Sequence, residues 1–184
     1  MAVDLKAVER DMKKEVERFE EEMMRVRAGR VTAVIFENIK VNYWGTPTPL
    51  PHVASINIID AKTVVLQPYD KSVMNDIVKA IRESDLNVNP MVEGEKIRLR
   101  FPDLTEERRK ELAKLIGKKA EEARIRVRAV RREAMEEVKK AKKDGEIPED
   151  DAKRLEEEIQ KLTDKHVKMI NEIAENKEKE VMTL

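Results

Sequence analysis

The chain has 184 residues, enough for one or two domains that each bury a core. Charged residues make up 41% and aromatics 3%, yet 38 basic and 38 acidic side chains bring the formal net charge to zero. Hydrophobic residues at 40% are too many for a wholly disordered chain, and no stretch approaches the roughly 20 consecutive apolar residues of a membrane span.

The absence of cysteine excludes disulfides, thiol nucleophiles and zinc sites built on sulfur. The start, Met1-Ala2-Val3-Asp4-Leu5-Lys6, lacks the basic and then apolar pattern of a secretory signal, so a cytoplasmic protein is expected. Only Gln67 and Gln160 represent glutamine among many Lys, Arg and Glu residues, a bias that suits ion-pair networks at high temperature.

In chain order, Leu5, Val8, Met12, Val16, Phe19, Met23 and Val26 recur at steps of three and four, which predicts an amphipathic helix ending near Gly29. The period then changes to two. Ile56 and Ile58 alternate with Ser55 and Asn57, Thr63 to Leu66 is β-branched and apolar, and Ile97, Leu99 and Phe101 alternate with Lys96, Arg98 and Arg100. Those runs predict strands, with Gly94 turning a hairpin between Val88–Val92 and Lys96–Phe101. Val73, Ile77, Val78 and Ile81 predict one short helix after a Ser72 cap.

From Thr105, an N-cap candidate followed by Glu106 and Glu107, the stripe Leu112, Ile116, Ala120, Ala123, Val127, Val130, Ala134, Val138 and Ala141 predicts a long helix. Gly145 stops it, and Pro148 with Glu149, Asp150 and Asp151 opens the next. There Leu155, Ile159, Leu162, His166, Met169 and Ile173 follow a 3.5-residue period, the spacing of a coiled-coil-like seam. Three stripes that cannot be buried alone predict an α+β chain. Residues 1–30 and 105–184 form an elongated antiparallel three-helix bundle, and residues 31–104 form an inserted β/α/β layer domain joined by two chain crossings that act as a hinge.

Candidate chemistry is sparse. A nucleophile elbow, a Gly-rich phosphate loop and a metal-binding His pair are all missing, so no catalytic residue, metal or cofactor is expected. His166 lies in an apolar seam, where a packed histidine is the ordinary outcome, and His52 lies in a Pro-flanked loop.

The charge map says more. Segments 1–30, 31–104, 105–147 and 148–184 carry net charges of 0, −1, +5 and −4, so a basic helix precedes an acidic one. Arg124, Arg128, Arg131 and Arg132 fall on one face of that basic helix, and planar guanidinium groups can clamp phosphate oxygens. The same arginines can equally pair with acids of the third helix or with Glu121, Glu122 and Glu133. Tyr43-Trp44-Gly45-Thr46-Pro47-Thr48-Pro49-Leu50 predicts a stiff edge that pairs incompletely in a sheet, or a preformed surface for a protein partner.

Taken together, RVRAGR at 25–30, YWGTPTPL at 43–50, KAIRESDLNVNP at 79–90, LTEERRKEL at 104–112, EEARIRVRAVRRE at 121–133 and KLTDKHVKMI at 161–170 resemble the ribosome recycling factor family. The resemblance implies an L-shaped monomer of tRNA-like dimensions, with the bundle as its long arm. It also implies binding to the post-termination ribosome through large-subunit rRNA, and splitting of the subunits with elongation factor G, which hydrolyses GTP. The chain itself would not be an enzyme.

Carried over by residue, the resemblance puts rRNA contacts on Arg109, Arg128 and Arg131, with Arg27, Arg30, Arg124 and Arg132 as companions. It puts the hinge at Gly29, Arg30, Val31 and Thr32 and at Phe101, Pro102, Asp103, Leu104 and Thr105. Tyr43, Trp44, Gly45, Thr46 and Pro47 are candidates to face a partner. Two rival readings are a coiled-coil adaptor or chaperone-like protein, whose stripe would extend into a partner helix, and a small enzyme built on carboxylates in the inserted domain.

Overall fold

The computed structural model describes residues 3–26 and 31–182. The expected features at Arg27, Gly29 and Arg30 lie outside the described residues. The chain divides into two compact units. One is built from the chain up to Met23 together with Lys110–Met182, the other from Met24–Arg109.

Among the described residues the first unit holds three helices. Helix α1 spans Leu5–Met24 and buries Val8, Met12, Val16, Phe19 and Met23, ending five residues before the expected Gly29. Helix α4 spans Glu106–Lys143 and α5 spans Glu149–Met182. At about 1.5 Å rise per residue, α4 extends for roughly 57 Å.

The Thr105 hydroxyl accepts from the Arg108 amide at 3.0 Å and caps α4 as the sequence predicts. At the other end Gly145, with φ +74°, closes the helix. The Glu146 amide reaches the Ala141 carbonyl at 2.9 Å and the Gly145 amide reaches Lys142 at 3.2 Å, the two bonds of a Schellman turn. That tight turn makes α4 and α5 antiparallel. Ion pairs fix α1 against α4 in the same sense, because Arg126 meets Glu15 while Lys119 meets Glu22.

The third helix corrects one expectation. Its buried positions are Ala152, Leu155, Ile159, Thr163, His166, Ile170, Ala174 and Val181, whereas Leu162, Met169 and Ile173 are only half-buried. Steps of three, four and four repeat every eleven residues, so the core face follows a nearly straight α-helix instead of a left-handed coiled-coil seam. Thr163 enters the core because its hydroxyl donates to the Ile159 carbonyl at 2.8 Å. His166 does so with its Nδ1 2.6 Å from the Leu162 carbonyl, so both polar groups are satisfied within their own helix.

Among the described residues the second unit holds six strands, two α-helices and two short 3-10 turns. A two-stranded ribbon pairs β1 (Lys40–Tyr43) with β2 (Thr46–Pro49), and α2 (Leu50–Val53) follows directly. Strands β3 (Ala54–Ile58), β4 (Thr63–Pro68), β5 (Pro90–Glu93) and β6 (Lys96–Arg100) form an antiparallel sheet in the order β3-β4-β6-β5, with α3 (Met74–Glu83) between β4 and β5. Val64, Leu66, Ile97 and Leu99 line its inner face, buried with Ile77 and Ile81 of α3 and with Phe36 and Leu50. Each such side chain contributes about 1.5–3 kcal/mol on removal from water.

The cap of the short helix differs from expectation. Asp70, rather than Ser72, accepts from the Ser72 amide at 2.9 Å and starts a 3-10 turn that runs into α3. The ribbon also departs from the predicted incomplete pairing, since Thr46–Pro49 pairs along its length with Lys40–Tyr43. Tyr43 faces Thr46 next to the two-residue turn, so Pro47 and Pro49 alternate onto the positions that make no ladder bond. Their missing N–H groups fall on the outer edge, where they deny a pairing site to other strands.

Candidate nucleic-acid interface

The arginines of α4 share a helix but not an environment. Arg126 turns to α1, its Nε donating to Glu15 at 2.7 Å and its Nη2 lying 3.5 Å from Glu22. Arg124 is held twice, by Glu121 on its own helix at 2.8 Å and by Asn171 of α5, to which Nη1 donates at 2.8 Å. Arg131 donates from Nε to Gln160 of α5 at 2.8 Å, and Gln160 in turn donates to Asp164 at 2.9 Å.

Arg128 and Arg132 are exposed. The first lies 3.7 Å from Glu121, a pair half open to water on both sides and worth little, and the second has no ion pair among the described residues. Arg109, at the start of the helix, is half-buried with its Nε unpartnered among the described residues.

The structure therefore answers the question left open by the charge map in two ways at once. Arg124 and Arg131 both serve the bundle, but differently: Arg124 is ion-paired with Glu121 as well as bonded to Asn171, whereas the α5 partner of Arg131 is a neutral amide that fixes the guanidinium without neutralising it. Among the described residues only Nε of Arg131 is engaged, which leaves its two Nη groups for another acceptor. Gln160 and Asn171 are the residues that sequence reasoning missed. A neutral amide on an acidic helix was the available signal, but a pairing 29 or 47 residues apart is invisible without the fold.

The ribbon tip is the second candidate surface. Trp44 and Gly45 form the turn with φ of +51° and +84°, and the Gly45 amide donates to Asn42 Oδ1 at 2.9 Å. A tryptophan in the left-handed region is strained, and the cost is tolerated here with the indole 73% exposed. Tyr43 meets it edge-on at 6.4 Å between ring centroids. The Ser72 hydroxyl and then the Ser72 amide, with a smaller contribution from Trp44, hold the Asp70 carboxyl below its ordinary range. Asp70 is bonded to both the amide and the hydroxyl of Ser72, and its neighbour Tyr69 is exposed. Thr46 and Pro47 continue the exposed edge.

Of the hinge residues within the described range, Val31 and Phe101 are core residues of the second unit. The Val31 amide donates to the Ala61 carbonyl at 2.9 Å and the Phe101 amide to that of Lys62 at 2.7 Å, so one β3–β4 loop grips both crossings. The Phe101 ring packs edge-on against Phe36 at 6.3 Å. Asp103 pairs with Lys62, and Thr32 and Pro102 are exposed.

Among the described residues no group of His, Cys, Asp and Glu is arranged to hold a metal ion, and no helix is long and apolar enough to cross a membrane.

Comparison with known proteins accounts for this arrangement. Residues 19–182 match the family described as Ribosome recycling factor. A ribosome-recycling factor of Caldicellulosiruptor bescii is 48% identical over 182 residues, covering 99% of both chains, and one of Bacillus cereus is 47% identical over 178 residues. The Bacillus cereus match covers 97% of this chain and 96% of that one.

A solution structure of a ribosome recycling factor superposes with a TM-score of 0.76 at 44% identity, covering 98% of this chain and 96% of that one. A second similar structure, at 39% identity with a TM-score of 0.63 and 97% of each chain covered, is the T. thermophilus ribosome recycling factor, described with E. coli elongation factor G bound to the E. coli post-termination complex. Matches of this extent at these identities leave one conclusion: the chain belongs to the ribosome recycling factor family.

Proposed function

We propose that this chain binds the post-termination ribosome through large-subunit rRNA and, with elongation factor G and GTP hydrolysis by that partner, splits the ribosome into subunits. A relative 39% identical over 97% of this chain, described together with elongation factor G on a post-termination complex, supports the reading. The chain is a translation factor and not an enzyme, so its contribution is binding and mechanical coupling. Cytoplasmic action as a monomer follows from the same reading.

The observation that carries the rRNA part is the division of labour among the α4 arginines. Arg128 and Arg132 are exposed, and Arg131 is oriented by Gln160 without losing its charge. A guanidinium held in place before binding loses less side-chain freedom when it meets a phosphate. Arg109 and Arg124, with Arg27 and Arg30, complete the proposed set. Binding through phosphates carries little sequence preference and a strong salt dependence.

The proposed swing of the inserted unit pivots on 29–32 and 101–105. The anchoring of Val31 and Phe101 in that unit supports pivots beyond them, at Pro102, Asp103, Leu104 and Thr105 in the second crossing. The ribbon tip at Tyr43–Pro47, exposed and stiff, is the proposed face toward the translocase.

Co-sedimentation with isolated large subunits tests the rRNA reading. Arg128→Gln with Arg132→Gln should weaken binding and lower the slope of log affinity against log salt by about two, one per phosphate lost. An affinity and slope equal to those of the parent chain would overturn it.

A further inference from the structure

On the face of the four-stranded sheet opposite α3, Asn57, Gln67, Met91, Lys96 and Arg100 are exposed, Val65 and Arg98 are half-buried and Thr63 is buried. By register, Thr63, Val65 and Gln67 of β4 point to that face, as do Lys96, Arg98 and Arg100 of β6. Asn57 of β3 and Met91 of β5 extend the row through Val65 and Arg98 to both edges.

Three cations occupy successive outward positions of an interior strand, where acids directly opposite would stabilise them. The facing positions on β4 carry a hydroxyl, a methyl-bearing side chain and an amide, but no acid. Glu93, on edge strand β5, is the one carboxylate in register on this face, and it accepts from Arg98 Nε at 3.0 Å with both side chains more than 40% exposed. Arg100 donates to Thr63 Oγ1 at 3.2 Å, and Asp60, just beyond β3, lies within its electrostatic reach.

We propose that this face is a second binding surface, distinct from the α4 arginines, for the phosphodiester backbone of RNA. Alternate residues of a strand stand about 7 Å apart, comparable with successive phosphates along one nucleic-acid strand. The amides of Asn57 and Gln67 supply neutral donors beside the cations. No aromatic ring lies on this face in register, so contact is with the backbone and not with stacked bases. Glu93 acts as a competitor that Arg98 leaves when a phosphate arrives.

The test uses the full chain carrying Arg128→Gln and Arg132→Gln, which sets the α4 contribution aside, and a twelve-residue oligouridylate as probe. Amide shifts on titration should map to β6 and the outward residues of β4. In fluorescence anisotropy Arg98→Gln should weaken binding about tenfold and reduce the salt slope by about 0.7, the single-strand value for one phosphate. Glu93→Gln should tighten binding several-fold without altering the melting temperature, which guards against a misfolded Arg98 variant. Shifts absent from the sheet, an unchanged affinity in both variants, or a polyglutamate peptide binding this face as tightly as the RNA would each overturn the proposal. Failure of the α4 reading is seen separately, as no effect of Arg128→Gln with Arg132→Gln on large-subunit binding.

Discussion

Replacing Arg126 by methionine keeps a long apolar stem along α4 and removes only the guanidinium. The lost head group leaves Glu15 and Glu22 facing each other's field on α1, with side chains 25% and 22% exposed. Exposed pairs contribute about 0–1 kcal/mol and breaking a buried pair costs about 3–5 kcal/mol. At one-quarter exposure the expectation falls between these limits, at about 2 kcal/mol. For a helical unit of about a hundred residues this lowers the melting temperature by roughly 8–16 °C.

The geometry also divides the loss. Arg126 Nε donates to Glu15 at 2.7 Å, whereas Nη2 approaches Glu22 at 3.5 Å without a hydrogen bond. Glu15→Gln should therefore cost more than Glu22→Gln, whose other contacts, to Arg18 at 3.7 Å and Lys119 at 3.8 Å, are long. Calorimetry of the full chain, with the helical transition followed by circular dichroism, measures each variant. A melting temperature of Arg126→Met within a degree or two of the parent, or equal losses in the two glutamine variants, would refute the reasoning.

Three further outcomes follow from single contacts. Thr105→Ala removes the cap on the Arg108 amide and should cost about 0.5–2 kcal/mol in urea unfolding, while Thr105→Asn should retain most of it. The Asp70 carboxyl is held below its ordinary value of 3.8 in the folded chain, so its contribution is present above that value and lost as pH falls through the lower folded value. The second unit should thus melt at lower temperature as pH drops below about 4, and Asp70→Ala should flatten that dependence. Finally, the Lys62–Asp103 pair ties the second crossing to the β3–β4 loop. Distances measured between spin labels on the two units should broaden in Asp103→Asn and narrow again when Lys62→Glu is combined with Asp103→Lys.

How much of this was legible beforehand depended on the range of the contacts. Helices α1 and α4, the Gly145 stop and the hairpin at Gly94 are written in local periodicity, and the structure contains each. Periodicity alone misplaces the face of α5 because it favours large apolar residues. Leu162 and Ile173 outrank Thr163 and Ala174 on hydropathy, but the Thr163 hydroxyl pairs within its own helix and Ala174 is buried. The proline ribbon was misjudged for a related reason. Prolines count against a strand only where the ladder needs their N–H, and the register places Pro47 and Pro49 where it does not.

The arginine face was legible as a charge pattern and not as a site. Linear spacing puts Arg124, Arg128, Arg131 and Arg132 together, but only the packing of α5 shows which of them is tied by Asn171 or Gln160 and which is exposed. Likewise the alternation Lys96, Arg98, Arg100 reads as the wet side of any strand until the sheet order shows that β6 is interior and that its β4 neighbours carry no acid.

The measurement that bears most directly on the central claim is ribosome splitting, followed by light scattering. Post-termination ribosomes would be mixed with elongation factor G and GTP, with and without this chain. The account predicts a chain-dependent loss of intact ribosomes that requires hydrolysable GTP and is slowed by Arg128→Gln with Arg132→Gln. Splitting that proceeds equally in the absence of the chain, or none in its presence, would contradict it.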